Sequence, residues 1–525
     1  MTRIERQRKN ARRRGILAAM VSVLAAGLFG VGAVVGYGDW PQYRGGSHDG
    51  VSADRIVQEW PLTGPRQLWK KPLNSGFSSF AVSQGRAFTL VRRMVDDQDQ
   101  EVCLALDTET GNELWATPID AASYINGGTG TGDGDGPRST PTVDGDRVYV
   151  FSCNLKLACL EASTGNSIWS LDLTRSPYNG RNINWQNAAS PLIDGDLIFV
   201  NCNGSANNLL GLRKTDGTQV WRRYSDKMTH ATPVATTILG VRQIIFYTQP
   251  GLVAVVPETG VELWRYNFRY NETSAAASAV VADDIVFCSA AYNSGAGAVR
   301  ITKSGSTFTA TELWRFTGSS MGNHWSTPVA YNGYFYGLFG DSGSARLKCI
   351  EAATGTATWP AGVSGFGPGG ILVVDGKLLI LGTTGEIVLA EPNPTAYTEI
   401  ARAKILSQYC WNSPAISNGR IYARGTSEGV CLDVAAKALS PLRLQMLANP
   451  ASGSFELGIG TVDGTSIDPP RTEKIEVMSA TDLSIQTANW TKFTVPARLT
   501  NGMLWFAEPP GPLLPQQYFS VTEKP

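Results

Sequence analysis

Residues able to do chemistry are few in this chain, and they are grouped. There are three His, at 48, 230 and 324, and eight Cys. No Cys-x-x-Cys occurs and no two Cys are adjacent, so zinc-holding spacings are absent. The Gly-rich run "GGTGTGDGDG" (Gly127 to Gly136) lacks the Lys-Ser/Thr and the helix of a phosphate loop. Its Asp133 and Asp135 are either a Ca²⁺ pair or part of a plain flexible loop. Gly-x-Ser-x-Gly does not occur as a strand-to-helix elbow, so no activated serine is indicated. What recurs is a Ser/Thr-Pro start: "RSTP", "AASP", "HATP", "WSTP" and "WNSP". Three residues before each Pro stand Arg138, Ala188, His230, Trp325 and Trp411. Close by are Trp185, Gln186, Asn187, Asn323, His324 and Asn412. Indole faces, an amide and imidazoles suit stacking and hydrogen bonding to a sugar, a quinone or a peptide. The candidate ligand-binding set is therefore Arg138, Trp185, His230, His324, Trp325, Trp411 and Asn412. No catalytic residue and no metal site is assigned. The alternative is that these side chains only fill a narrow channel mouth.

Something must hold such positions at one rim, and a second pattern supplies it. "LDTETGNELW" ends at Trp115, "LEASTGNSIW" at Trp169, "LRKTDGTQVW" at Trp221, "VPETGVELW" at Trp264 and "IEAATGTATW" at Trp359. "TATELW" ends at Trp314 and "RQLW" at Trp69. Successive Trp lie 46, 54, 52, 43, 50 and 45 residues apart. That period marks a repeat architecture. The segments before each Trp are short and β-branched or aromatic, as in "RVYVFS", "LIFVNC" and "KLLILG". They are too short for helices, and many are apolar on consecutive residues, as in strands buried on both faces.

Ser139 to Trp169 shows one unit: "STPTV", a "DGD" hairpin turn, "RVYVFS", "LACLEA" and "NSIW". This is a four-stranded antiparallel meander, one blade of a propeller. Gly in Thr-Gly takes a left-handed turn without a Cβ clash, and the acidic or hydroxyl residues before it cap that turn. Trp then lies against the neighbouring blade. Units start near Phe80, Ser139, Ala189, Thr232, Ala277, Thr327, Gly370 and Ser413. Outer strands ending in Trp follow the first six. The seventh has a degenerate one in Glu399 to Leu406, and the eighth has none. "PRQLWK" at Trp69 is an outer strand without a blade, so it completes the eighth and closes the ring. The expected fold class is all-β: an eight-bladed β-propeller of four-stranded blades, plus a small C-terminal β-sandwich-like domain.

The pattern "STPTVDGDRVYV…LACLEASTGNSIW" resembles the PQQ-like β-propeller repeat family, which includes quinoprotein dehydrogenases and an outer-membrane barrel-assembly lipoprotein. The opening "DWPQYRGGSHDGVS" (Asp39 to Ser52) is similar to the start of secreted bacterial members. The resemblance covers Asp39 to about Val434. Quinoprotein alcohol dehydrogenases carry a vicinal Cys-Cys disulfide beside the quinone, a Ca²⁺ site and a catalytic Asp; none of these motifs is matched here. The resemblance therefore implies the propeller and leaves the cofactor PQQ disfavoured.

The ends differ from the repeats. "MTRIERQRKNARRRG" followed by the apolar run Ile16 to Val35 reads as an export segment, so residues 1–36 are a signal peptide or an N-terminal membrane anchor. Either way the propeller, 37–434, lies outside the cytoplasmic membrane, periplasmic or secreted. No Cys follows the run before Cys103, so there is no lipobox. Residues 435–525 drop the repeat and read as a separate β domain. "NWTKFT…LTNGMLWFAEP…QQYFSV" resembles C-terminal β-sandwich modules of secreted bacterial proteins. Lys plus Arg equal Asp plus Glu at 45 each, and basic residues are scattered beyond the N-terminus, so nucleic acid is not a partner. Cys103, Cys159, Cys349 and Cys431 fall in third strands, and Cys153, Cys202 and Cys288 in second strands. Such placement suits small buried core residues, with Cys153–Cys159 the one local pair to check for a disulfide. The reading is an exported, non-catalytic binding or scaffold protein with an envelope protein or small ligand at the channel mouth. The alternatives are a PQQ-dependent dehydrogenase-like enzyme and a polysaccharide-binding envelope protein.

Overall fold

The computed structural model describes residues 38–61, 63–124, 135–268, 275–341, 343–436, 440–449, 454–467, 469–482, 484, 489–492, 497–506 and 518–523. The apolar leader and most of the Gly-rich run, with Asp133, lie outside these residues. The chain divides into two compact units, 37–438 and 1–36 with 439–525.

The larger unit is a β-propeller. Its described strands form eight sheets, each starting from a short inner strand. The second sheet is typical: Thr142–Asp144, Arg147–Phe151, Lys156–Glu161 and Ser167–Asp172, paired in that order. Its inner strand packs between those of the first and third sheets, and the inner strand of the eighth packs against that of the first. Arg66–Pro72 pairs antiparallel with Glu428–Asp433, Trp69 standing opposite Cys431. It is thus the outer strand of the sheet built from Ala415–Ser417, Arg420–Arg424 and Glu428–Asp433.

The repeated Trp and Gly meet across sheets. Trp69 donates to the Thr108 carbonyl at 3.0 Å, Trp115 to Ala162 at 3.1 Å, Trp169 to Lys214 at 3.2 Å, and Trp314 to Ala352 at 2.9 Å. Each acceptor lies in the Thr-Gly turn of the next sheet. The turn glycine takes a positive φ and rests on the indole. A Cβ on Gly111 would sit 2.6 Å from the Trp69 ring, and one on Gly165 2.6 Å from that of Trp115. Trp264 departs from the pattern and donates to Gln243 Oε1 within its own sheet, at 2.6 Å.

Two expectations are corrected. The outer strands do not end at Trp. Glu113–Ala121 runs six residues beyond Trp115, because a bulge just before the indole re-aims it and pairing then resumes. The sixth sheet has three strands among the described residues, Val329–Tyr331, Tyr334–Phe339 and Arg346–Glu351, not a fourth at Trp359. Residues 357–363 reach its edge only through bridges at Ile350–Ala357 and Leu347–Val363. Three steps on one side face six on the other, so the excess, with Pro360 and Gly362, loops away from the ladder. Trp359 stays buried and donates to Asn393 O at 3.1 Å.

All eight cysteines are free thiols and buried. Cys153 and Cys202 stand just past the second strands, which end at Phe151 and Asn201.

Residues 38–56 cross the channel at the turn end of the inner strands. Trp40 bridges Val82, Val143 donates to Pro41 O, and Val51–Ser52 pairs parallel with Gly370–Val374. Arg44, 2% exposed, donates to the Thr327 and Asp49 carbonyls. His48 is buried beside it, 3.1 Å from Gln42 Nε2. Burial first, then Arg242 and Arg44 nearby, push its pKa down to about 4, against the pull of Asp194. The unfolded histidine binds its proton near 6.5, so this residue lowers stability as pH falls from about 6.5 to about 4. His48→Gln removes that term. Denaturation at pH 7 and pH 4.5 is expected to show the variant losing about 2 kcal/mol less than the parent over this interval. Equal losses would mean that His48 is not held neutral.

In the smaller unit, Leu442–Asn449, Ser454–Thr461, Ala497–Thr500 and Met503–Phe506 form one sheet. Ile475–Ala480, Thr491–Lys492 and Tyr518–Glu523 form another. Leu457, Ile459, Val477 and Phe506 are in its core.

Candidate functional site

The recurring Ser/Thr-Pro is a clasp between sheets. The Ser79 N–H donates to Thr140 Oγ1 at 3.1 Å, Thr140 N–H to Ser190 Oγ at 2.9 Å, and Ser190 N–H to Thr232 Oγ1 at 2.9 Å. Farther round, Ser278 N–H donates to Thr327 Oγ1 at 3.0 Å. Each hydroxyl thus satisfies a buried backbone donor of its neighbour. The residue two places earlier is carried to the channel mouth by this belt, which is why unlike side chains from distant repeats converge there.

They converge on one cavity of about 560 Å³, whose lining includes Arg138, Trp185, His230, His324, Trp325, Trp411 and Asn412. All seven sequence-selected residues are brought together. Their neighbours Gln186, Asn187 and Asn323 are not in the lining; each is turned into the protein. Asn187 Nδ2 donates to Phe151, Ser152 and Ala189 carbonyls, and Asn323 Nδ2 to Leu338 O. Gln186 Nε2 donates to Ser123 O.

One wall is a run of rings. His324 and Trp325 have centroids 4.2 Å apart, Trp325 and Trp411 4.8 Å, and Trp411 stacks on Phe77 at 5.5 Å and 18°. Trp325 Nε1 is anchored on Pro368 O at 2.6 Å. Beside this wall, its guanidinium 5.8 Å from the Phe77 ring centre, Arg138 is held by both oxygens of Asp135 at 2.8 Å and donates to Trp185 O. Asp135 is therefore an ion-pair partner, a role its loop position in the sequence did not indicate. His230 Nε2 lies 2.9 Å from Asn184 O. Burial pushes the His324 pKa down to about 4, so this imidazole is neutral at pH 7 and a weak base.

Four polar atoms in this wall have no partner: Asn412 Nδ2 and Oδ1, Trp411 Nε1 and His324 Nδ1. Asn412 is only 7% exposed. Leaving a buried donor or acceptor unpaired costs about 1–3 kcal/mol, and these four atoms are covered by protein rather than presented to the cavity.

Three aromatic lining residues were missed by sequence reasoning. Tyr43 comes from the segment before the repeats and enters from the opposite end, its hydroxyl 3.0 Å from Thr327 Oγ1. Phe77 occupies the rim position of the first sheet, but "SGFSSF" has no Pro to align on. Tyr292 lies between Ile285–Ala290 and Gly295–Ser304, with no counterpart in other repeats. A search for aromatics two residues before each inner-strand hydroxyl would have found Phe77.

Among the described residues no group of three or more His, Cys, Asp or Glu is placed to hold a metal. No described helix is long and apolar enough to cross a membrane.

Residues 98–327 match the family model described as outer membrane protein assembly factor BamB. No curated protein sequence matches the chain. Among solved structures, BamB from Moraxella catarrhalis is 15% identical at a TM-score of 0.50, covering 71% of this chain and 98% of that one. A quinohemoprotein alcohol dehydrogenase from Pseudomonas putida is 12% identical at a TM-score of 0.55, covering 79% and 83%. One from Comamonas testosteroni is 12% identical at 0.52, covering 83% and 84%. These likenesses show a β-propeller fold, with residues 98–327 matching a model of the PQQ-like repeat family.

Proposed function

We propose that this chain is an exported, non-catalytic propeller, its eight sheets the blades of one closed ring, that binds a partner protein or small ligand at the open channel mouth. The wall of rings formed by Trp325, Trp411 and Phe77 along the cavity carries this reading. Among the described residues the cavity lining contains two His and one Arg but no Asp, Glu, Lys or Cys. That lining offers no carboxylate among the described residues to pair with either imidazole as acid and base. The apolar run after a basic N-terminus and the family's envelope description support a periplasmic or envelope setting.

A PQQ-type quinone, with its three carboxylates, fits these residues poorly. Arg138 is the one cationic side chain in the lining among the described residues, and Asp135 already holds it in a bidentate pair. No carboxylate among the described lining residues is present to share a Ca²⁺ ion with the quinone. No redox step is derived through it.

Native mass spectrometry of the chain purified from its host is expected to show a retained non-covalent species. Changing Trp325 and Trp411 together to Ala should cut its occupancy about tenfold or more while the fold persists, as loss of stacking implies. A parent protein with no bound species and no titratable ligand sinks the reading. Global unfolding of the double variant would make the two indoles core residues instead.

A further inference from the structure

A second cavity, of about 410 Å³, lies where residues 38–56 cross the turn ends of the inner strands Val234–Ile238 and Val280–Ala282. It shares no lining residue with the channel mouth. We infer that it binds a small organic monocarboxylate, on the Nδ1–H of His48 and the uncommitted edge of the Arg242 guanidinium, beside the buried charge of Arg44. The hydrogen bonds fix the histidine. Gln42 Nε2 lies 3.1 Å from His48 Nε2 and also donates to Gly46 O at 3.4 Å, so the amide is the donor and the imidazole nitrogen accepts. The ring proton of neutral His48 therefore sits on Nδ1. That nitrogen has no partner among the described residues, yet protein does not shut it off. His48 is only 6% exposed and lines the cavity, so the cavity is where Nδ1 is reached.

Two arginines supply positive charge to the same wall. Arg44 is buried and hydrogen-bonds only to backbone carbonyls, those of His48, Asp49 and Thr327. Burial lowers its pKa, the mark of a charge without a close counter-ion. Arg242 gives Nε and Nη2 to Asp194, which leaves both N–H groups of Nη1 uncommitted. Both guanidiniums lie near enough to His48 to disfavour its protonation. Thr236 and Thr237 add hydroxyls to the lining.

These groups select by charge. A neutral amide pairs the N–H donors but leaves Arg44 uncompensated, and a cation meets two guanidiniums. A dianion meets carboxylates, because Asp49 and Asp283 also line the cavity and Asp194 sits on Arg242. The Asp49 carboxylate is turned back to the Val51 N–H at 2.9 Å, so it does not occupy the donors itself. One negative charge is what the site accommodates. A carboxylate brings that charge with two acceptor oxygens, one for each donor side. The volume exceeds that of the carboxylate alone, so a short carbon body goes with it, along Val281.

The test is an NMR titration of the full chain with ring-labelled histidines, using propionate, its neutral isostere propionamide, propylamine and inorganic phosphate at pH 7.5. The chain has three His, and the His48 signal is the one lost in His48→Gln. Propionate is expected to move that signal to saturation, and the other probes to bind at least about tenfold more weakly. Bound propionate should also raise the His48 pKa from its value of about 4, since an adjacent anion favours imidazolium. Arg242→Gln should weaken propionate about tenfold with the melting midpoint held, because its pair with Asp194 is partly exposed and contributes little to stability. Equal or tighter binding of propionamide or phosphate overturns the inference. So does propionate binding that Arg242→Gln leaves unchanged, or a His48 signal that no probe moves. Shifts confined to His230 and His324 would place the acid at the channel mouth and overturn it as well.

Discussion

Trp69→Ala is expected to destabilise the propeller by about 3–5 kcal/mol, the range for truncating a buried Trp. The indole is 4% exposed, donates to Thr108 O at 3.0 Å, and packs edge-on against Phe80 at 6.3 Å. It belongs to the strand that joins the chain's beginning to its last repeat. Its loss therefore loosens the pairing of Arg66–Pro72 with Glu428–Asp433 as well as opening a cavity. A sheet edge exposed that way also invites association. For a unit of this size, a fall in the melting midpoint on the order of 5 °C, with earlier aggregation, is the expected reading. Trp185→Ala, at a 41% exposed site, should change the midpoint little. Equal effects of the two substitutions would show that the closing strand is not a stability determinant.

The second large effect is expected at Gly165. It sits at φ 75°, and a Cβ there would lie 2.5 Å from Thr117 Oγ1 and 2.6 Å from the Trp115 ring. Gly145, at φ 59°, has nothing within 4 Å of an added Cβ. Both positions pay the left-handed backbone cost of about 1–2 kcal/mol when changed to Ala. Only Gly165→Ala must also push Trp115 off its neighbour, adding about 1–3 kcal/mol, as overpacking does. Thermal or urea denaturation of the two variants isolates the indole–glycine contact as their difference. Identical midpoints would reduce the Thr-Gly turn to a local preference without a role between sheets.

Below neutral pH buried Glu101 opposes the buried His48 and His324. Burial raises the Glu101 pKa to about 7, although Tyr124 and the Cys153 N–H donate to it. That group contributes stability below the unfolded carboxylate value and loses it as pH rises through 7. His48 and His324 act in the reverse sense between about 6.5 and 4. A parent protein with a nearly flat profile would therefore hide these terms, which is why the His48 test compares variants.

What the sequence determined by itself is the repeated unit. Strand length, the Asp-Gly turns, the Thr-Gly turn and its Trp are local features that recur along the chain, so one unit read correctly predicts its neighbours. The same periodicity located the rim, because the Ser/Thr-Pro clasp repeats with the strands and carries Arg138, His230, Trp325 and Trp411 to equivalent places. Only the tertiary structure decided which neighbours of those positions face the cavity. Asn412 and His324 line it, while Asn187 and Asn323 turn inward to backbone carbonyls, a choice made by contacts across sheets. It also brought Tyr43 to Thr327 across 284 positions, through a segment that belongs to no repeat. A period reports what each unit does alike. A pocket is made where the units differ and where a non-repeating strand crosses them, and that convergence exists only once the ring has closed.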